Sequence, residues 1–403
     1  MREPAVCEEL AFAGWACRLN LLDRHLLLSV VFTCASAVGL FAFVVILPNV
    51  VKELITPWLA GQISTAAFLR LMALLFPFAI SYALPMGFLT GVLLTLGRLS
   101  ADSEITAMRA SGISIARIAW PVFLLAALCS AIALYINLES APWARVQFQR
   151  EFAQAIRANP QTLIVPKTFI RDFKGCVVYV GAREEKKDGS VLKDIWLWEL
   201  DEQNRVRRLI RAESGKLVFD AATNSLVLTF IRAKIEERNS ENPEDFSKSP
   251  KVFSVDRIEH LRIPLDRYLS QSARRMKQEW LTYEQLRTEQ ARHAAETPAV
   301  EKRAEHRQEG MKLELIVQEK FSLSLAVLSF AMIGVPLGIK VSRRETSANL
   351  GIALVLVLSF YLLTVAIKWL DRHPEVRPDL LLWAPNVIFI GLGLWLYSRI
   401  DRR

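Results

Sequence analysis

The chain has 403 residues, 52% of them hydrophobic, and a formal charge of +9. Those values argue against a single soluble domain and for a chain divided between bilayer and water. A basic balance this spread out gives no reason to invoke nucleic acid, because Lys and Arg on cytoplasmic loops produce it in a membrane protein.

Residues 1–25 are polar to amphipathic and carry Glu8, Glu9 and Asp23. That opening is longer and less basic than a signal peptide's, so the first apolar run is expected to stay as an anchor. Six uncharged apolar runs stand at 26–47, 71–97, 118–138, 321–339, 346–367 and 380–398, each of 19 residues or more. At about 1.5 Å per residue, each is long enough for a helix to cross a hydrocarbon core of roughly 30 Å. One central charge costs roughly 2.5–3.5 kcal/mol on insertion scales, so runs this clean read as spans. With the N-terminus inside, twelve basic residues gather on the inner side: Arg2, Arg18, Arg24, Arg98, Arg109, Arg117, Lys340, Arg343, Arg344, Arg399, Arg402 and Arg403. The outer loops hold five, Lys52, Arg70, Lys368, Arg372 and Arg377. Both termini are therefore expected in the cytoplasm, and the long middle segment outside.

In chain order, the first span ends in "ILPNVVKELI", where Lys52 is followed at once by Glu53. The second carries Gly87 and Gly91, small residues four apart that admit a neighbouring helix, beside Pro85. Between the second and third spans lies "LGRLSADSEITAMRASGIS", residues 96–114. It reads as a short inner-surface helix near 100–111, about three turns long, capped by Ser100 and stopped by Gly112. Asp102 and Glu104 suit the positive end of its dipole, and Ala101, Ile105 and Met108 form its apolar stripe. A helix this short is marginal alone in water and needs something to dock against. Lipid headgroups are one support, but Asp102 and Glu104 would be repelled there, so a protein with a basic groove fits better.

The domain plan that follows is residues 1–138 with three spans, 139–270 as an all-β domain, 271–320 as a charged helical connector, and 321–403 with three more spans. "CVVYVGA", "DIWLWEL", "GKLVFD", "SLVLTFIRAKI" and "FSVDRIEHLRI" read as strands, separated by turn signals at Asp188-Gly189, Ser214-Gly215, "AATNS" and "NSENPED". Their spacing points to an antiparallel sandwich or jelly roll. Trp196 and Trp198 share one strand face and are expected in its core. The connector is expected to break at Pro298 and to run into the fourth span. That span holds Gly334, Pro336 and Gly338. Glycine pairs and prolines of this kind fit either bundle packing or a moving gate.

Chemistry is hard to find. No phosphate loop exists, since "GVPLGIK" at 334–340 has the wrong spacing, and no nucleophile elbow or H-E-x-x-H pair occurs. No catalytic residue, cofactor site or metal site is assigned. The five cysteines, Cys176 alone among them in the outer domain, read as small apolar residues rather than a disulfide framework.

The loop at 96–114 resembles the signature of the lipopolysaccharide-export permeases, the LptF/LptG or YjgP/YjgQ family. The match extends to "LDR" at 22–24, to "FSLSLAVLSFAMIGVPLGI" at 321–339 and to the three-plus-three layout, and "SEITAMRASG" leans toward the LptF type. The resemblance implies a six-span helical membrane protein of the inner membrane with an inserted periplasmic β-jellyroll. It implies three partners: a cytoplasmic LptB-like ATPase dimer, a related permease counterpart and a single-span LptC-like bridge protein. The cargo implied is lipopolysaccharide or a related glycolipid. The same resemblance makes Ser103, Glu104, Ile105, Met108, Arg109 and Gly112 the ATPase-coupling set, with Glu104 meeting an Arg of the ATPase. It also makes the scarcity of bases beside Lys52 a departure, because the family tends to place several there for lipid phosphates. Two other classes compete: a lipoprotein-release or FtsX-like permease, which usually has four spans, and a membrane-anchored envelope assembly factor, which needs a polar constellation in 139–320.

Overall fold

The computed structural model describes residues 21–59, 61–158, 164–171, 175–186, 189–201, 203, 205–220, 225–238, 249–264, 278–296, 303–340 and 346–400. These divide into two compact units, one of 1–49, 74–145 and 277–403, the other of 50–73 and 146–276.

The first unit is a helical bundle. In chain order the helices are α1 (Leu21–Val50), then α2 (Thr65–Leu74), which falls in the second unit and hands over at once to α3 (Phe76–Ala101), then α4 (Glu104–Ala110) and α5 (Ile115–Tyr135). A π-helical turn, Ile136–Ser140, joins α5 to α6 (Ala141–Ala158), whose residues from 146 onward belong to the second unit. After the sheet come α7 (Tyr283–Ala295), α8 (Arg303–Lys340), α9 (Thr346–Lys368), the short α10 (Pro378–Leu381) and α11 (Ala384–Ile400). All six apolar runs fall in helices long and apolar enough to cross a membrane. The connector joins the fourth span as expected, since α8 is one helix of 38 residues; Pro298 lies outside the described residues.

α8 is the hub of the bundle. In its most apolar stretch 78% of residues are buried, against 22% in α1 and in α9. Serines fix it on two sides. Ser322 and Ser329, two turns apart, share Asn386 of α11: Asn386 Nδ2 donates to Ser322 Oγ at 2.7 Å, and Ser329 Oγ donates to Asn386 Oδ1 at 2.8 Å. Ser324 faces α5 instead, accepting from Asn137 Nδ2 at 2.9 Å, while its carbonyl takes the Ser130 hydroxyl at 2.8 Å. In hydrocarbon such groups have no water to turn to, so satisfied pairs hold helices together, each for roughly 0.6–1.7 kcal/mol.

The second unit holds one antiparallel sheet in strand order β1 (Phe169–Ile170), β2 (Cys176–Lys186), β3 (Gly189–Leu200), β4 (Val206–Asp220), β5 (Ser225–Glu237) and β6 (Lys251–Pro264). The five sequence segments are all strands. The Asp188-Gly189 signal sits where Lys186↔Gly189 closes the β2–β3 pair, whereas most of "AATNS" and all of "NSENPED" lie outside the described residues. The Ser214-Gly215 turn is corrected: both residues lie inside β4. Glycine is needed there for close approach, since a Cβ on Gly215 would stand 2.8 Å from Thr229 O and 2.5 Å from Ile195 Cδ1.

A crease across the sheet explains its core. Alternation should carry one face along every second residue. Instead the buried positions run Leu192 then Ile195 and Leu197 on β3, Ile210 and Ala212 then Leu217 on β4, and Phe230 then Ala233 and Ile235 on β5. The ladder is interrupted at one level across neighbouring strands, with the pairing register the same on either side. Gly181, Asp194, Glu213 and Arg232 drop out of the ladder between flanking pairs such as Ile195↔Ala212 and Lys193↔Ser214. Asp194 and Arg232 hold φ of 52° and 53°, left-handed backbone that bends the strand without adding a residue to the ladder. A one-residue shift of the inward positions along a straight strand would turn the apolar face outward. Made together with a bend on every strand, it keeps both halves facing one apolar cluster of sixteen residues. Trp196 and Trp198 are therefore not core: Ile195 and Leu197, at 0% exposure, take the inward places, and the two indoles lie on the opposite face.

The Arg208 ion pairs and the Cys176 thiol of this unit are structural. Arg208 bridges its cross-strand neighbours, Glu199 at 3.4 Å and Glu237 at 2.8 Å. The Arg208 hydrogen bond and charge hold the Glu237 carboxyl below the usual Glu range. Burial, with Glu199 adding to it, pushes the Cys176 thiol up to about 11, so it stays a protonated core residue.

Candidate functional site

The loop between the second and third spans carries a short helix on a fixed base. α3 continues through Ser100 to Ala101, so Ser100 is no cap; its hydroxyl donates to Ile339 O at 3.0 Å, tying the end of α3 to the end of α8. The chain then turns at Ser103, φ 63°, and α4 starts at Glu104. It spans seven residues, two turns rather than three. The Gly112 stop is a full C-terminal motif: Gly112 N–H donates to Arg109 O at 2.9 Å and Ile113 N–H to Met108 O at 3.1 Å, with Gly112 at φ 84°. Ser114 then caps α5, accepting from Arg117 N–H at 3.3 Å.

What the helix docks against is its own bundle. Ile105 and Met108, 2% and 9% exposed, join a cluster with Leu26 and Val30 of α1, Leu99 of α3, Ile115 of α5 and Ile339 of α8. Ala101 does not extend the stripe; it is exposed. Burying two such side chains stabilises the docked helix by roughly 1.5–3 kcal/mol each, which offsets its poor intrinsic stability. Around the base, Arg117 pairs with the buried Asp23 of α1, and Arg98 Nη2 donates to Ser29 Oγ at 2.8 Å. The outer side of α4 is polar and unburdened by packing, with Ser103, Glu104, Thr106, Arg109 and Gly112 all exposed.

This arrangement accompanies a likeness that covers the chain. The profile of the lipopolysaccharide export system permease LptF/LptG family matches residues 24–399. The chain belongs to that family. Relatives include the lipopolysaccharide export system permease protein LptF of Escherichia coli strain K12, of E. coli O157:H7 and of Shigella flexneri. Each is 24% identical over 339 residues, covering 83% of this chain and 83% of the relative.

In this LptF/LptG-family chain the small-residue pairs lie at close helix crossings. A Cβ on Gly87 would stand 2.5 Å from Val38 N of α1, and one on Gly91 2.5 Å from Cys34 Cα. Gly334 and Gly338 of α8 face α3, with contacts of 3.0 Å to Leu89 Cδ1 and 2.8 Å to Leu96 Cβ. Pro336 leaves the Met332 carbonyl without its helical donor, and α11 closes over that oxygen where Gly393 has no side chain, a built Cβ falling 2.5 Å away. Lys52 is exposed in a π-helical turn, Val51–Ile55, that continues α1, and Leu54 beside it is fully buried.

Sequence reasoning missed a charged cavity of about 100 Å³ within the bundle. Arg145 lies over the rings of Phe78, at 4.7 Å, and Trp280, at 5.8 Å. Lys320 donates to Asn137 O at 3.0 Å, a carbonyl in the π-helical turn, and Lys368 pairs with Glu319 at 2.8 Å. Its cations come from three helices far apart in the chain, so no linear pattern announces them.

Proposed function

We propose that this protein is one permease subunit of an ATP-driven exporter in the bacterial inner membrane. It takes lipopolysaccharide, or a related glycolipid, from the membrane and passes it toward a periplasmic bridge. Family membership supports the cargo and the permease role; the inner-side excess of basic residues supports cytoplasmic termini and a periplasmic sheet domain. A separate LptB-like ATPase dimer supplies the nucleotide chemistry, a related six-span permease pairs with this chain, and an LptC-like single-span protein receives the lipid.

The observation that carries the reading is the division of α4 into a buried anchor and a bare polar side. The anchor belongs to one apolar cluster with residues of α1, α3, α5 and α8, so a push on Glu104 or Arg109 is passed into the packing that joins those helix ends. Packed helices transmit such a displacement because their interior does not compress. In this reading Ser103, Glu104 and Arg109 meet the ATPase, Ile105 and Met108 pass the force inward, and Gly112 fixes the helix end. Lys52 contacts lipid phosphate, and the helix crossings at Gly87, Gly91, Gly334 and Gly338, with Pro336 between the last two, are where the spans slide.

The test is Glu104→Lys in the full chain. Membrane insertion and thermal stability should stay as in the wild type, because Glu104 is exposed, while copurification of the ATPase and lipid export fall together. Normal export and normal ATPase recovery in that variant would refute the assignment.

A further inference from the structure

The outward-facing aromatic row of the sheet domain is a site that the export role leaves unused. Phe169, Tyr179, Trp198 and Trp196 stand side by side on β1, β2 and β3. Phe169 lies 5.0 Å from Tyr179 and 5.7 Å from Trp198, and the two indoles are 5.9 Å apart and stacked at 23°. Phe169 is 57% exposed. The row continues in register onto cations, Trp196↔Arg211 and Arg211↔Lys234, both exposed. Arg211 lies 4.3 Å over the Trp196 ring. Among the described residues neither Arg211 nor Lys234 has a carboxylate within 4.0 Å, whereas Arg232 and Arg238 nearby are paired.

We infer that this face binds an acidic saccharide, its sugar rings lying on Phe169 and Trp198 and its negative groups meeting Arg211 and Lys234. A pyranose ring presents a flat set of C–H bonds that suits the negative face of an aromatic ring. A protein anchor instead fills a desolvated pocket, and these rings project from three adjacent strands as a row. The two unpaired cations select an anionic ligand over a neutral one. The inference is independent of the export reading and survives its failure.

The experiment uses the full chain in lipid nanodiscs, titrated calorimetrically with hexagalacturonate, with neutral maltohexaose and with poly-glutamate. Hexagalacturonate should bind more tightly than maltohexaose, and poly-glutamate should not bind. Trp198→Ala, and independently the more exposed Phe169→Ala, should weaken hexagalacturonate about tenfold with the melting temperature held. Arg211→Gln should bring the acidic glycan down to the affinity of the neutral one. The proposal is overturned by absence of hexagalacturonate binding, by unchanged affinity in stably folded Phe169→Ala, or by poly-glutamate binding as tightly as the glycan.

Discussion

Ile105→Ala isolates the anchor of α4 from its polar side. Ile105 is 2% exposed in the cluster that holds the helix to α1, α3, α5 and α8. Removing a buried Ile side chain costs about 2–5 kcal/mol, transfer and cavity terms together. Met108, the other anchor, contributes roughly 1.5–3 kcal/mol, too little to hold seven residues unaided. The loss is local because the ties around the helix, Ser100 to Ile339 and Arg117 to Asp23, do not involve Ile105. At about 1.4 kcal/mol per tenfold, even the lower bound raises the undocked population roughly thirtyfold. Hydrogen exchange on protein in nanodiscs should show that loss of protection at amides 105–110, with α3 and α5 unchanged. ATPase recovery should persist while export falls, since the contact remains and only its transmission is cut. Unchanged protection at 105–110 would refute the anchored-lever argument, and so would collapse of the whole bundle.

Gly91→Ala should lower the thermal stability of the detergent-solubilised chain by about 1–3 kcal/mol, because the new methyl meets backbone of α1 at 2.5 Å; a melting temperature equal to the wild type would show that α1 yields freely. In the sheet domain, the folded Glu237 pKa is depressed by Arg208, so its contribution is fully present above the ordinary value of about 4.3 and is lost as pH falls through the lower folded value. Melting curves of the full chain over that acid range should therefore fall less steeply for Arg208→Gln than for the wild type, and parallel curves would remove the pair from acid stability.

The parts that were legible share a property: their signal is local and one-dimensional. An uncharged run such as 118–138 has no stable place but the bilayer or a deep core, whatever its neighbours do. The strands carry β-branched and aromatic residues at close spacing, and Gly112 stops a helix wherever the chain needs a positive φ. The misreadings share the opposite property. Ser100 looks like a cap, yet α3 holds it as helix because its hydroxyl finds Ile339, far away in sequence. Ser214-Gly215 has turn composition, but its glycine answers the close approach of Thr229 and Ile195.

From sequence alone came the six spans, the inserted strands, the short loop between the second and third spans and the family resemblance, all set by composition and order along the chain. Tertiary structure alone decided which face of β3 is core, that Ile105 and Met108 anchor their own bundle, and that Arg145, Lys320 and Lys368 share one cavity. The reason is geometric: which side of a strand or helix is buried depends on where its neighbours bend and how closely they approach. A crease shared by several strands reverses the outcome of alternation without changing any one strand's residues.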